Sequence, residues 1–90
     1  MKSILITGCA GFIGFHISQK LIIKGYKIVG IDNLNNYYSV KLKKDRIKDL
    51  KKTNKKYFIF HKVDLSNKKG IENLFKKYKI VFFFPEQRYP

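Results

Sequence analysis

The chain has 90 residues, room for one domain, and a chain of this size buries only about 60 to 65% of the surface that its unfolded form exposes. Its composition, 44% hydrophobic and 16% aromatic with two prolines and one cysteine, excludes intrinsic disorder, collagen and a disulfide scaffold, and no apolar run approaches the roughly 20 residues of a membrane span. The net charge is +14, but 18 of the 20 basic residues are Lys, whereas forked contacts to bases and phosphates favour Arg. The excess is therefore read first as drift toward Lys on solvated faces, with nucleic-acid binding as the lesser reading.

Ser3 to Thr7 is a short apolar run that ends in a glycine cluster. From Phe12 to Lys24, Ile13, Ile17 and Leu21 recur at helical spacing, so the segment reads as strand, tight loop and helix. Gly25 stands where a helix end wants a left-handed residue, and Lys27 to Asp32 resumes as a second strand. A polar loop, Asn33 to Tyr38, leads to an expected amphipathic helix with Val40, Leu42, Ile47 and Leu50 on its apolar side. Nine basic residues between Lys41 and Lys56 are assigned to its solvated face. Tyr57 to Val63 reads as a third strand, Ile71, Leu74 and Phe75 mark a third helix, and Ile80 to Phe84 is a fourth strand.

This alternation predicts an α/β protein: a partial Rossmann fold with a parallel sheet of about four strands, order 3-2-1-4, and helices on both faces. The last strand, rich in Phe, is expected to leave an apolar edge that a partner would cover.

The loop Thr7-Gly8-Cys9-Ala10-Gly11-Phe12-Ile13-Gly14 places three glycines at spacing three between a strand and a helix. Gly8 permits the tight turn, Gly11 lets the backbone approach a pyrophosphate, and Gly14 lets the helix pack closely on the strand. The phosphates then meet the helix N-terminus, where free N–H groups favour an anion. Asp32 ends the second strand 18 residues after Gly14, near the offset of about 20 at which a carboxylate receives the adenosine ribose. A carboxylate there accepts from a 2′-hydroxyl and repels a 2′-phosphate. Asn33 and Leu34 add no Arg clamp, so NAD is expected over NADP.

With these residues in place, the Thr-Gly-x-x-Gly-x-x-Gly loop, the stretch Gly30-Ile31-Asp32-Asn33-Leu34-Asn35-Asn36-Tyr37-Tyr38 and Val63-Asp64-Leu65 resemble the N-terminal part of extended short-chain dehydrogenases/reductases. Among these, the NAD-dependent nucleotide-sugar epimerases and dehydratases of the UDP-glucuronate 4-epimerase type are most similar. The resemblance implies that Gly8, Gly11, Phe12, Ile13 and Gly14 lie along the pyrophosphate, that Asp32 and Asn33 hold the ribose side, and that Asp64 and Leu65 contact the adenine; Asn36 is a weaker carry-over. It implies a reaction in which NAD transiently oxidises the sugar C4 hydroxyl and hydride returns to the opposite face.

The resemblance also implies that residues 1–84 form the N-terminal part of an NAD-binding domain and 85–90 a divergent tail. There Gln87, Arg88 and Tyr89 look like remnants of the family's pattern. The family's catalytic Ser/Thr and Tyr-x-x-x-Lys, and its nucleotide-sugar site, are then absent. The one such spelling, Tyr37 to Lys41, follows the second strand at the adenosine end, away from the expected chemistry. The leading expectation is an NAD-binding fragment inactive by itself; the alternatives are a non-catalytic dinucleotide-binding module and, behind it, a basic nucleic-acid binder. His16 and His61 lack the companions of a metal site. Cys9 needs only to be small, although a helix N-terminus tends to lower a thiol pKa. Only five residues precede the Ile6-Thr7-Gly8-Cys9 stretch, too few for a lipoprotein leader, and the expected location is cytoplasmic.

Overall fold

The computed structural model describes residues 2–34 and 39–84. Four strands and three helices alternate: β1 (Lys2–Thr7), α1 (Phe12–Ile23), β2 (Lys27–Asp32), α2 (Val40–Thr53), β3 (Phe58–Lys62), α3 (Lys68–Lys77) and β4 (Lys79–Phe84). The strands form one sheet in the order β3-β2-β1-β4, and every neighbouring pair is parallel. The expected fold and strand order are both present.

The two-residue period of the strands divides the core between the sheet faces. Ile6 and Ile28 pack with Cys9, Ala10, Ile22, Ile47, Leu50 and Phe58 on the face covered by α1 and α2. Leu5, Val29 and Ile31 point the other way and meet Leu74 of α3. After β3 the chain returns across the sheet to lay β4 beside β1, so the order reverses between β1 and β4. In open α/β sheets, ligands bind outside the strand ends near such a switch point.

Helix α1 is turned slightly from its expected apolar stripe. Gly14, Ser18 and Ile22 form the buried line, while Ile13, Ile17 and Leu21 flank it half-buried. Glycine and serine lie innermost because the helix presses closely on the glycine loop. It ends as its sequence predicts: Gly25 has φ +94°, its N–H donates to Ile22 O at 2.9 Å, and the Tyr26 N–H donates to Leu21 O at 3.0 Å. This paired arrangement satisfies the last carbonyls of the helix.

Helix α2 departs from its expected apolar side. Its buried residues are Lys43, Ile47 and Leu50, while Leu42 is 45% exposed. Assigning every Lys of this run to solvent is therefore wrong for Lys43. Strand β4 lies at the sheet edge, with Val81, Phe82 and Phe83 exposed by 42 to 57%. Among the described residues, no helix is long and apolar enough to cross a membrane.

Candidate functional site

The C-terminal ends of three adjacent strands open into one depression. Thr7 and Gly8 come from the end of β1, Ile31, Asp32 and Asn33 from the end of β2, and Val63, Asp64 and Leu65 from the segment after β3. The sheet thus gathers Gly8, Asp32, Asn33, Asp64 and Leu65, which are scattered in sequence.

Gly8 opens the loop with φ +64°, a left-handed conformation that costs a side-chain-bearing residue roughly 1–2 kcal/mol. The Gly11 N–H donates to Gly8 O at 2.9 Å, closing the turn. A Cβ on Gly11 would stand 3.2 Å from that same oxygen, and one on Gly14 would collide with it. The last two glycines of the motif therefore answer to the carbonyl of the first.

Gly11 is also the N-cap of α1, which has no side-chain cap and no acidic residue in its first turn. The other two helices also lack an acidic residue in the first turn but carry side-chain caps: Ser39 Oγ accepts from Leu42 N on α2, and Asn67 Oδ1 accepts from Gly70 N on α3. An uncapped helix start leaves backbone donors without an intrahelical partner, an arrangement suited to an anion. Phe12 is 67% exposed and Ile13 half-buried at this end, whereas Gly14 is buried.

Asp32 is buried at the floor of the depression. Its Oδ2 accepts from Ala10 N at 3.1 Å and its Oδ1 from Leu34 N at 2.8 Å. Lys43 Nζ approaches Oδ1 at 3.7 Å, with the two side chains only 7% and 5% exposed. A carboxylate has about four acceptor positions, so these contacts leave capacity for a further donor. One turn beyond Lys43, Arg46 donates to Ala10 O at 3.1 Å, and its guanidinium lies over the Phe15 ring. Helix α2 thereby holds both the loop and the carboxylate.

Asn33 and Asp64 meet directly, Nδ2 donating to Oδ2 at 2.9 Å. The other Asp64 oxygen accepts from the backbone N and the hydroxyl of Ser66, each at 2.8 Å. Thr7 joins the ends of β1 and β4 through its hydroxyl, which donates to Phe84 O at 3.3 Å.

Cys9 is the small, unreactive side chain that the sequence leads one to expect, and its position near a helix N-terminus does not lower its pKa. It is fully buried, and burial, reinforced by the Asp32 carboxylate, pushes its thiol far above the usual range. Its sulfur also occupies space that a side chain at Gly30 would need, 2.8 Å from such a Cβ. His61 Nε2 lies 2.8 Å from the Tyr78 hydroxyl, and no metal-binding cluster occurs among the described residues. In the Tyr37 to Lys41 spelling, Lys41 pairs with Asp45 on the exposed side of α2. Tyr37, Asn36, Gln87, Arg88 and Tyr89 lie outside the described residues.

Lys43 and Arg46 are the site residues that the sequence reading misses. A signal was present: 43, 46, 47 and 50 fall on one helical face, so a Lys at 43 shares the stripe of Ile47 and Leu50.

The family model for GDP-mannose 4,6 dehydratase matches residues 5–82. The chain belongs to this family. Among relatives of this family member, the UDP-glucuronate 4-epimerase of Thermodesulfobacterium geofontis is 40% identical over 76 residues, which is 84% of this chain and 23% of that one. Protein CapI of Staphylococcus aureus is 50% identical over 72 residues, 80% of this chain and 21% of that one.

A solved UDP-glucuronic acid 4-epimerase of Bacillus cereus, in complex with a fluorinated UDP-glucuronic acid and NAD, is 39% identical over 74% of this chain and 21% of its own, with a TM-score of 0.63. The UDP-glucose 4-epimerase of Bifidobacterium longum matches 97% of the chain and 24% of its own with a TM-score of 0.78 at 24% identity, a likeness of fold. The chain thus spans less than a quarter of the length of these relatives.

Proposed function

We propose that this chain is an NAD-binding part of a nucleotide-sugar epimerase or dehydratase. The uncapped start of α1, set against the buried carboxylate of Asp32 at the end of the neighbouring strand, carries the reading. Residues 1–84 form the cofactor-holding unit.

The residues fit the cofactor. Gly8 and Gly11 keep the loop free of side chains where a pyrophosphate would lie, and the first-turn amides of α1, from Phe12, Ile13 and Gly14, would donate to it. Asp32 would accept from the adenosine ribose, with Asn33 beside it. Asp64 and Leu65 would border the adenine, and the Asn33 to Asp64 hydrogen bond ties these two parts of the site together. When bound, NAD supplies a hydride acceptor and donor.

The chain's own residues supply position. Ala10 N, Leu34 N and Lys43 hold the Asp32 carboxylate in one orientation, and Arg46 fixes the loop behind it. Ordering these groups before binding reduces the entropy that binding must overcome. The sugar chemistry belongs to parts of the relatives' length that this chain does not span. The relatives' names favour a UDP-sugar as the substrate there.

Isothermal titration with NAD tests the proposal. Saturable one-site binding is expected, weakened about tenfold or more by Asp32→Asn, which keeps the shape of the side chain but removes its charge. Absence of heat with the folded wild-type chain would overturn it.

A further inference from the structure

The lysines are not spread evenly over the fold. All strands are parallel and each helix runs back against them, so every helix ends beside a strand start, at the end of the sheet opposite the depression. Lys20 and Lys24 close α1, Lys51 and Lys52 close α2, and Lys76 and Lys77 close α3. Lys2, Lys27 and Lys79 open β1, β2 and β4, and Lys55 and Lys56 stand in the turn before β3. Eleven of the 18 Lys thus gather at one end. Among the described residues no carboxylate joins them: Asp32 and Asp64 border the depression, and Asp45, Asp49 and Glu72 precede the last turns of α2 and α3.

We propose that this end of the molecule docks on the surface of an anionic lipid bilayer, with the depression turned away from the membrane. The six-residue strands hold the two ends about 20 Å apart, so docking leaves the depression open.

Lysine in a last helical turn answers the negative end of the helix dipole, which accounts for the helix ends alone. The five lysines of strand starts and turn lack that reason. Lys2 and Lys79 are register partners on neighbouring strands, about 4.8 Å apart, where like charges repel. A plane of negative charge across the strand starts offsets that repulsion.

Two apolar side chains in the same region select a bilayer as the source of that charge. Ile23, 70% exposed, ends α1, and Tyr26, 51% exposed, precedes β2, with Lys24 between them and Lys27 next. A Tyr ring suits the headgroup level and an aliphatic side chain the acyl boundary beneath it, while lysines reach lipid phosphates as point charges. Nucleic acid would engage the lysines but leave Ile23 without a role. Its forked contacts also favour Arg, and no Arg stands at this end among the described residues.

The test is flotation of the 90-residue chain with vesicles of phosphatidylcholine, with or without about 30% phosphatidylserine. The wild type is expected to partition at least about tenfold better onto the anionic vesicles and to be released as salt rises. Exchanging Lys2, Lys55, Lys56 and Lys79 together for Gln should weaken binding about thirtyfold or more, whereas the same exchange at the exposed Lys44, Lys48, Lys68 and Lys69 should cost less than about threefold. Ile23→Ser should weaken it about threefold or more at unchanged charge.

Equal losses in the two fourfold variants would reduce the effect to net charge and overturn the inference, as would a wild type that floats no better with the anionic vesicles. An unchanged Ile23→Ser variant, or a single-stranded oligonucleotide that binds more tightly than the vesicles at the same salt, would remove the bilayer as the occupant. Should a fourfold variant fail to fold, the wild type on the two vesicle types and Ile23→Ser decide.

Discussion

The carbonyl oxygen of Gly8 occupies the space that a side chain at Gly14 would need. The Gly8 carbonyl carbon and the Cys9 Cα stand 2.8 and 3.0 Å from the same point. All three atoms are backbone, so no rotamer change relieves the clash. Gly14→Ala is expected to destabilise the fold by at least about 2 kcal/mol, because overpacking against a fixed backbone pushes the helix off the loop. A lowered urea midpoint would register this. An unchanged midpoint would mean that α1 does not rest on the loop as described.

Gly25 makes a contrasting case. Nothing lies within 4 Å of its missing Cβ, yet its φ is +94°. The cost of Gly25→Ala is then conformational only, on the order of 1–2 kcal/mol. Thermal unfolding should show a smaller loss than for Gly14→Ala. Gly25→Asn should recover part of it, since Asn tolerates the left-handed region.

Cys9 should be inert in the folded chain. Its thiol is fully buried, and burial together with the Asp32 carboxylate holds it protonated. A thiol reagent at mildly alkaline pH is expected to leave the native protein unmodified and to react fully once guanidinium unfolds it. Rapid labelling under native conditions would contradict the packing of the glycine loop on β2.

His61 gives a pH dependence whose sign can be derived. Burial first, and then the nearby positive charge of Lys77, lower its pKa from the ordinary 6.5. The unfolded chain therefore binds the proton more readily. The His61 contribution to stability is present above pH 6.5 and is lost as pH falls through the lower folded-state value. Melting temperature should decline between roughly pH 7 and 5, more shallowly in His61→Gln. The decline stays small because the ring is partly exposed, and identical slopes in the two proteins would remove His61 as its source.

Much of the fold can be read from local rules. A positive φ favours glycine, which marks Gly8 and Gly25, and strands alternating with helices imply parallel pairing. Asp32 is legible too, since its distance from the glycine loop follows from one helix and one strand. Lys43 is not read correctly because its worth depends on a counter-charge from another strand. Along the sequence it is one Lys among nine basic residues, and Leu42 beside it is the more attractive candidate for burial. Only the docking of α2 against the loop selects between them, and the Asp32 carboxylate makes burial of the ammonium tolerable.

Cys9 teaches the same distinction through electrostatics. A helix N-terminus is visible in sequence and argues for a lowered pKa, but desolvation is a property of the surrounding core and outweighs it. The sequence by itself determined the order of the elements, the positions of the three loop glycines and the carboxylate at the end of β2, because each follows from backbone geometry within a few residues. The tertiary structure alone decided which lysine is buried, which thiol is silenced and how Asn33 meets Asp64. Those outcomes depend on groups distant in sequence, and their energies arise only when packing removes the water between them.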